Sequence, residues 1–140
     1  MSKIKLQDLI TVLNSDVVKY NSCIEMNFCI DDDTEYKDCW LGKMPDKNGK
    51  ELYWYGLVPD GLQAYDYTEL EDMLNAKVFR EKSLCDVIER ITWYSLDGCS
   101  IEKRLPDYIN DYENSLKRSA PIPKKRKKNI FDVLKNKNDK

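Results

Sequence analysis

The stretch Pro45-Asp46-Lys47-Asn48-Gly49 constrains this fold more than any other part of the chain. It sets turn-forming residues between two segments rich in strand-forming side chains. Its Asn-Gly step supplies residues that tolerate φ > 0, as a tight antiparallel reversal requires. Beyond it, Glu51–Val58 carries Tyr53, Trp54 and Tyr55 and reads as a strand; Tyr36–Met44 before it reads as that strand's partner. Upstream, Ile24, Met26, Phe28 and Ile30 alternate with Glu25 and Asn27, the pattern of a half-buried strand over Cys23–Ile30. Asp31-Asp32-Asp33-Thr34 turns the chain between these two strands. Pro59-Asp60-Gly61 makes a further turn, after which Leu62–Tyr67 can add a short fourth strand.

Elsewhere the apolar period is helical. Leu6, Leu9, Ile10 and Leu13 follow i, i+3, i+4, i+7 spacing over Lys5–Asn14, and Asn14-Ser15-Asp16 stops them. Thr68 with Glu71 predicts a capping box ahead of Leu70, Met73 and Leu74. Ser83, with Asp86 in the first turn, opens a further helix whose face holds Leu84, Val87, Ile88 and Ile91, broken at Asp97-Gly98. Leu105, Tyr108, Ile109, Tyr112 and Leu116 form a further stripe, with Pro106 in its first turn. The expected fold is α+β: a three- to four-stranded antiparallel meander with helices on one face, plus a flexible basic C-terminal tail. At 140 residues such a domain buries enough surface to stand without metal or disulfide.

The net charge of −2 hides a strong asymmetry. Residues 1–115 hold 13 Lys and Arg against 23 Asp and Glu, a formal −10; residues 116–140 hold 10 against 2, a formal +8. The expected organisation is an acidic α+β domain over residues 1–117 and a basic tail over 118–140. No apolar run is long enough to span a bilayer and Met1-Ser2-Lys3 does not open a secretory signal, so no membrane association and a cytoplasmic location are expected. Cys23, Cys29, Cys39, Cys85 and Cys99 are odd in number and match no zinc-ligand spacing, which points to reduced thiols and no structural metal.

Catalytic templates are missing. With no His the chain lacks the commonest general base, and it contains no GxSxG, GxxxxGK[ST], GxGxxG or HExxH pattern. An enzyme is therefore the less expected class, and no cofactor is expected. A carboxylate-metal enzyme would draw on Asp31, Asp32, Asp33, Glu35 and Asp38, but these lack the Gly and terminal Glu of an EF-hand loop. The alternative for that cluster is a solvated acidic loop.

Two features point to binding. The strand region is aromatic-rich (Tyr36, Trp40, Tyr53, Trp54, Tyr55, Tyr65 and Tyr67), and alternation sets Tyr53 and Tyr55 on the face opposite Trp54. One face should be packed and the other should show rings of the kind that anchor protein interfaces, unless all serve cross-strand packing. A −10 body disfavours polyanion binding, so a protein partner is expected, with Asp31, Asp32, Asp33, Glu35, Asp38, Tyr53 and Tyr55 as candidate contacts. In the tail, Lys124, Lys125, Arg126, Lys127 and Lys128 form a compact cluster for nucleic acid or an acidic surface. Ile130, Phe131 and Leu134 can share one face of a short segment that folds on binding, or packs back on its own domain.

Ala76–Arg90, with Leu96-Asp97-Gly98-Cys99-Ser100 continuing to Arg104-Leu105-Pro106-Asp107-Tyr108-Ile109, resembles small uncharacterised accessory proteins of prophages and conjugative elements in Gram-positive bacteria, over about a quarter of the chain. The resemblance implies a cytoplasmic protein serving a mobile genetic element and transfers no site residue. The function expected is a non-catalytic binding protein that occupies or inhibits a host protein, such as a nucleic-acid-handling or defence protein, through its acidic, aromatic-rich surface. The alternative is an accessory nucleic-acid-binding protein acting through the basic tail.

Overall fold

The computed structural model describes residues Ser2–Ser119. Two units divide the chain, Met1–Asn110 and Asp111–Lys140, and of the second only the helical residues up to Ser119 are described. The tail residues Lys124, Lys125, Arg126, Lys127, Lys128, Ile130, Phe131 and Leu134 lie outside the described residues.

The first unit is α+β, as expected, but its antiparallel sheet has five strands. Helix α1 (Leu6–Leu13) precedes β1 (Ile24–Ile30), β2 (Cys39–Pro45), β3 (Glu51–Gly56) and β4 (Ala64–Tyr67). Helices α2 (Leu70–Asn75) and α3 (Leu84–Val87) follow, then a single 3₁₀ turn (Ile88–Arg90), β5 (Ile91–Leu96) and α4 (Ile101–Ser119). The sheet order is β4-β3-β2-β1-β5, a four-strand meander closed by β5 against β1.

Three expectations are corrected. The helix expected from Ser83 to a break at Asp97-Gly98 stops at a 3₁₀ turn, and Ile91–Leu96 becomes the fifth strand. Thr68 does not cap α2, whose N-cap is Glu69 without a side-chain bond. The capping box belongs to Ser83 and Asp86: the Ser83 hydroxyl accepts from the Asp86 amide, and the Asp86 carboxylate accepts from the Ser83 amide. Finally, α4 begins at Ile101, so Pro106 lies inside the helix rather than in its first turn.

The β2–β3 reversal works through its aspartate. Asp46 Oδ1 accepts from the amides of Asn48 (2.7 Å) and Lys50 (2.9 Å), while Gly49 takes the positive φ of +75°. Of the Asn-Gly pair only the glycine needs that conformation.

Alternation along each strand separates two faces. The inner face carries Ile24, Met26, Phe28 and Ile30 of β1, Cys39, Leu41 and Lys43 of β2, Tyr53 and Tyr55 of β3 and Trp93 of β5, all buried. Helix α1 reaches this face through Leu9, Val12 and Leu13, and α2 through Met73, whose carbonyl accepts from the Tyr55 hydroxyl at 2.8 Å. Phe79 wedges in from the α2–α3 connection, edge-on to Tyr36, Tyr55 and Phe28. Ile101 and Tyr108 of α4 join the same core. Among the described residues, no helix is long and apolar enough to cross a membrane.

Candidate functional site

The expected acidic patch is mostly committed to the fold. Asp33 takes both Arg80 guanidinium nitrogens at 2.9 Å and also accepts from the amides of Glu35 (2.8 Å) and Tyr36 (2.9 Å). Arg80 Nε donates to Glu35 Oε1 at 3.0 Å, and its guanidinium stacks over the Tyr36 ring, 4.6 Å from the centroid. The second Glu35 oxygen accepts from Gln63, which in turn accepts from the Tyr36 hydroxyl. This network clips the β1–β2 turn to the connection leading into α3. The Arg80 guanidinium first, and the two backbone amides after it, hold the Asp33 carboxyl well below the usual carboxylate range. Asp31 is bound by Lys3 and by the Thr92 hydroxyl (2.5 Å), which lower its pKa in that order. Asp38 stands apart from both, accepting from Asn27 Nδ2 at 2.9 Å. Of the five expected carboxylates, Asp32, at φ +58°, is the one that makes no side-chain bond among the described residues.

Tyr53 and Tyr55 are corrected from partner contacts to core residues, 6% and 1% exposed. Their positions share the face of Leu41 and Phe28. Phe79 packs on the Tyr55 ring and Met73 takes its hydroxyl, so the polar tip is satisfied inside. On the sheet's other face Trp40 of β2 and Tyr94 of β5 are exposed, and Trp54 of β3 is half-buried.

That outer face is built by a reciprocal pairing. Trp40 stands opposite Gly56 and Trp54 opposite Gly42, so each indole on the β2–β3 ladder faces a neighbour without a side chain. Trp54 fills its vacancy: its Cζ2 lies 2.8 Å from the point where a Gly42 Cβ would stand. Among the described residues, nothing lies within 4 Å of the equivalent point at Gly56. The result is an open hollow of about 500 Å³ over Gly56, bordered by Trp40, Trp54, Glu25, Asp38 and Val58. On the flanking strands Glu25 pairs with Gly42 and Asp66 with Trp54, which brings carboxylates to both sides of the ring pair. No salt bridge among the described residues involves Glu25, Asp38 or Asp66.

Tyr94 reaches this face through a bulge. Asn27 pairs with Ser95 and Phe28 with Trp93, so Tyr94 is the extra residue on β5, and its hydroxyl donates to Cys29 Sγ at 3.0 Å. All five cysteines are free, and Cys23 is exposed. Cys39 is the buried thiol, donating to the Leu57 carbonyl, and burial pushes its pKa up to about 12. Among the described residues, no group of three Cys, Asp or Glu side chains is placed to hold a metal ion.

The residues missed from sequence are Trp40, Trp54, Glu25 and Gly56. Their signal was a Trp-x-Gly spacing occurring twice, at Trp40-Leu41-Gly42 and Trp54-Tyr55-Gly56, on either side of the Asn-Gly reversal. Comparisons with protein-family models, with curated proteins and with solved structures give no match.

Proposed function

We propose that this is a non-catalytic binding protein that occupies another protein through the outer face of its sheet. One observation carries the reading: that face leaves Trp40 and Tyr94 exposed and Trp54 half-buried beside Glu25, Asp38 and Asp66, while the opposite face is closed by the core. Large aromatic rings on a rigid strand scaffold anchor protein interfaces with little side-chain entropy lost. The carboxylates direct the surface toward a basic partner and against a polyanion. A nucleic-acid-handling or defence protein of the host, blocked at a basic surface, suits that chemistry. The resemblance of Ala76–Arg90 and Leu96–Ile109 to accessory proteins of prophages and conjugative elements supports that setting, and five free thiols support a cytoplasmic one.

The acidic contacts are revised accordingly. Asp38 remains a contact and Glu25 joins it, whereas Asp31, Asp33 and Glu35 act inside the molecule.

The test is affinity capture with the full chain, with a Trp40→Ala/Trp54→Ala variant and with a variant carrying Gln at Lys124, Lys125, Arg126, Lys127 and Lys128, each with and without nuclease. A protein captured in the presence of nuclease, lost with the double Trp variant and kept with the tail variant, supports the reading. Capture of nucleic acid that depends on the tail and falls steeply with salt overturns it. That result would establish the second reading, a nucleic-acid-binding accessory protein, which the +8 charge of residues 116–140 favours.

A further inference from the structure

We infer that the hollow over Gly56 seats an arginine side chain presented by a basic segment of the partner protein. The inference rests on the reading of the outer face as the working surface and names what that surface recognises.

Three observations converge on this chemistry. First, the hollow is a vacancy in a packed ladder rather than a random dent. The two Trp-Gly pairs are equivalent by register, yet Trp54 covers Gly42 while the space at Gly56 stays empty beside the Trp40 ring. A side chain entering over Gly56 meets aromatic surface on β2 and β3 without displacing any atom.

Second, the hollow's charge has one sign. Glu25 and Asp38 border it, and no Lys or Arg does among the described residues. Asn27 holds one Asp38 oxygen, which orients the carboxylate and leaves the other oxygen for an incoming donor. Phosphate or a carboxylate ligand would meet like charge there; a cation meets two opposite charges.

Third, flat rings beside carboxylates match guanidinium better than ammonium. A guanidinium is planar and weakly hydrated, so it stacks on an indole face while its edge N–H groups still reach carboxylate oxygens. The chain already uses this arrangement internally, where Arg80 stacks over Tyr36 while bonding Asp33 and Glu35. An ammonium offers no flat face and holds its water more tightly.

The test uses the full chain and three capped tripeptides, tri-arginine, tri-citrulline and tri-lysine, titrated while the three indole N–H resonances are followed by NMR. Trp93 is wholly buried in the core and serves as the internal reference. Tri-arginine is expected to move the Trp40 and Trp54 signals and leave Trp93 still, binding about tenfold tighter than tri-citrulline and tighter than tri-lysine. Gly56→Leu should abolish the response by filling the hollow while the melting temperature holds, since the added Cβ meets nothing within 4 Å and the rest of the side chain enters open space. Equal binding of tri-citrulline or tri-lysine would overturn the arginine assignment, and an undiminished response in Gly56→Leu would overturn the location. If tri-arginine leaves Trp40 and Trp54 unmoved but the double Trp variant still loses captured protein, the arginine seat is wrong and the surface reading survives. If that variant keeps its captured protein, the surface reading itself has failed.

Discussion

Lys43 Nζ sits 2.9 Å from the carbonyl oxygen of Leu13, the last residue of α1, with its side chain 1% exposed. It also donates to Ser15 O at 2.7 Å, pairs with Glu51 at 2.9 Å and lies over the Tyr53 ring. A strand lysine thus supplies the C-terminal cap that α1 lacks in its own sequence, where the last turn has no basic residue. Lys43→Ala removes the donor and leaves Glu51 without its partner, and is expected to cost about 3 kcal/mol in urea unfolding. Lys43→Met keeps the buried stem and should cost less, while still raising amide exchange in the last turn of α1. A Met variant with unchanged exchange at Ile10–Asn14 would show that the ammonium does not cap the helix.

Gly42 and Gly56 occupy equivalent places in the ladder and should respond oppositely to a methyl group. A Cβ at Gly42 would stand 2.0 Å from Ile24 O and 2.8 Å from the Trp54 ring, and the backbone atom cannot move aside without shifting β1. Gly42→Ala is expected to cost about 3 kcal/mol. Gly56→Ala meets nothing and should lie within about 0.5 kcal/mol of the parent. Equal costs in parallel urea titrations would mean that the two sites are not distinguished by packing.

The meander was legible because its signals are local: an Asp-led reversal with a glycine at positive φ, and a clean two-residue alternation in β1. β5 was not, for two reasons that act together. Leu84, Val87, Ile88 and Ile91 continue a helical spacing across the point where the backbone tightens into a 3₁₀ turn. The bulge at Tyr94 then spoils the alternation that would have marked a strand, leaving Ile91, Trp93 and Leu96 as the buried positions. In β3 the alternation was readable, but the wrong face was expected to be outward. Tyrosines with polar tips suggest a surface, whereas Tyr55 finds its acceptor on α2, which is distant in sequence. Likewise, nothing near Asp33 in the sequence announces that Arg80 will consume it.

The Asp33–Arg80 clip makes the fold acid-sensitive. The Asp33 pKa is depressed in the folded chain, so its contribution is fully present above the unfolded value near 4 and declines as pH falls below it. Asp33→Asn keeps the size but loses the charge and is expected to cost about 2 kcal/mol at neutral pH. Below about pH 4 the cost of this substitution should shrink, because the unfolded parent takes up a proton that its folded, Arg80-bound carboxylate does not, and the parent's advantage declines. Melting curves at neutral and acid pH check this; a penalty that stays constant with pH would exclude the carboxylate charge as its source.

Thiol labelling separates surface from core without any knowledge of the partner. Cys39 is wholly buried, donates to Leu57 O, and has a pKa pushed up to about 12, so at neutral pH it is neither accessible nor ionised. Cys23 is exposed. With iodoacetamide in excess, mass spectrometry of the native protein should find Cys23 modified first and Cys39 last. Cys39 modification should track global unfolding, rising in urea with the same midpoint as the loss of far-ultraviolet dichroism. Labelling of Cys39 well below that midpoint would mean that the β2–β3 core opens locally, and with it the platform that carries Trp40 and Trp54.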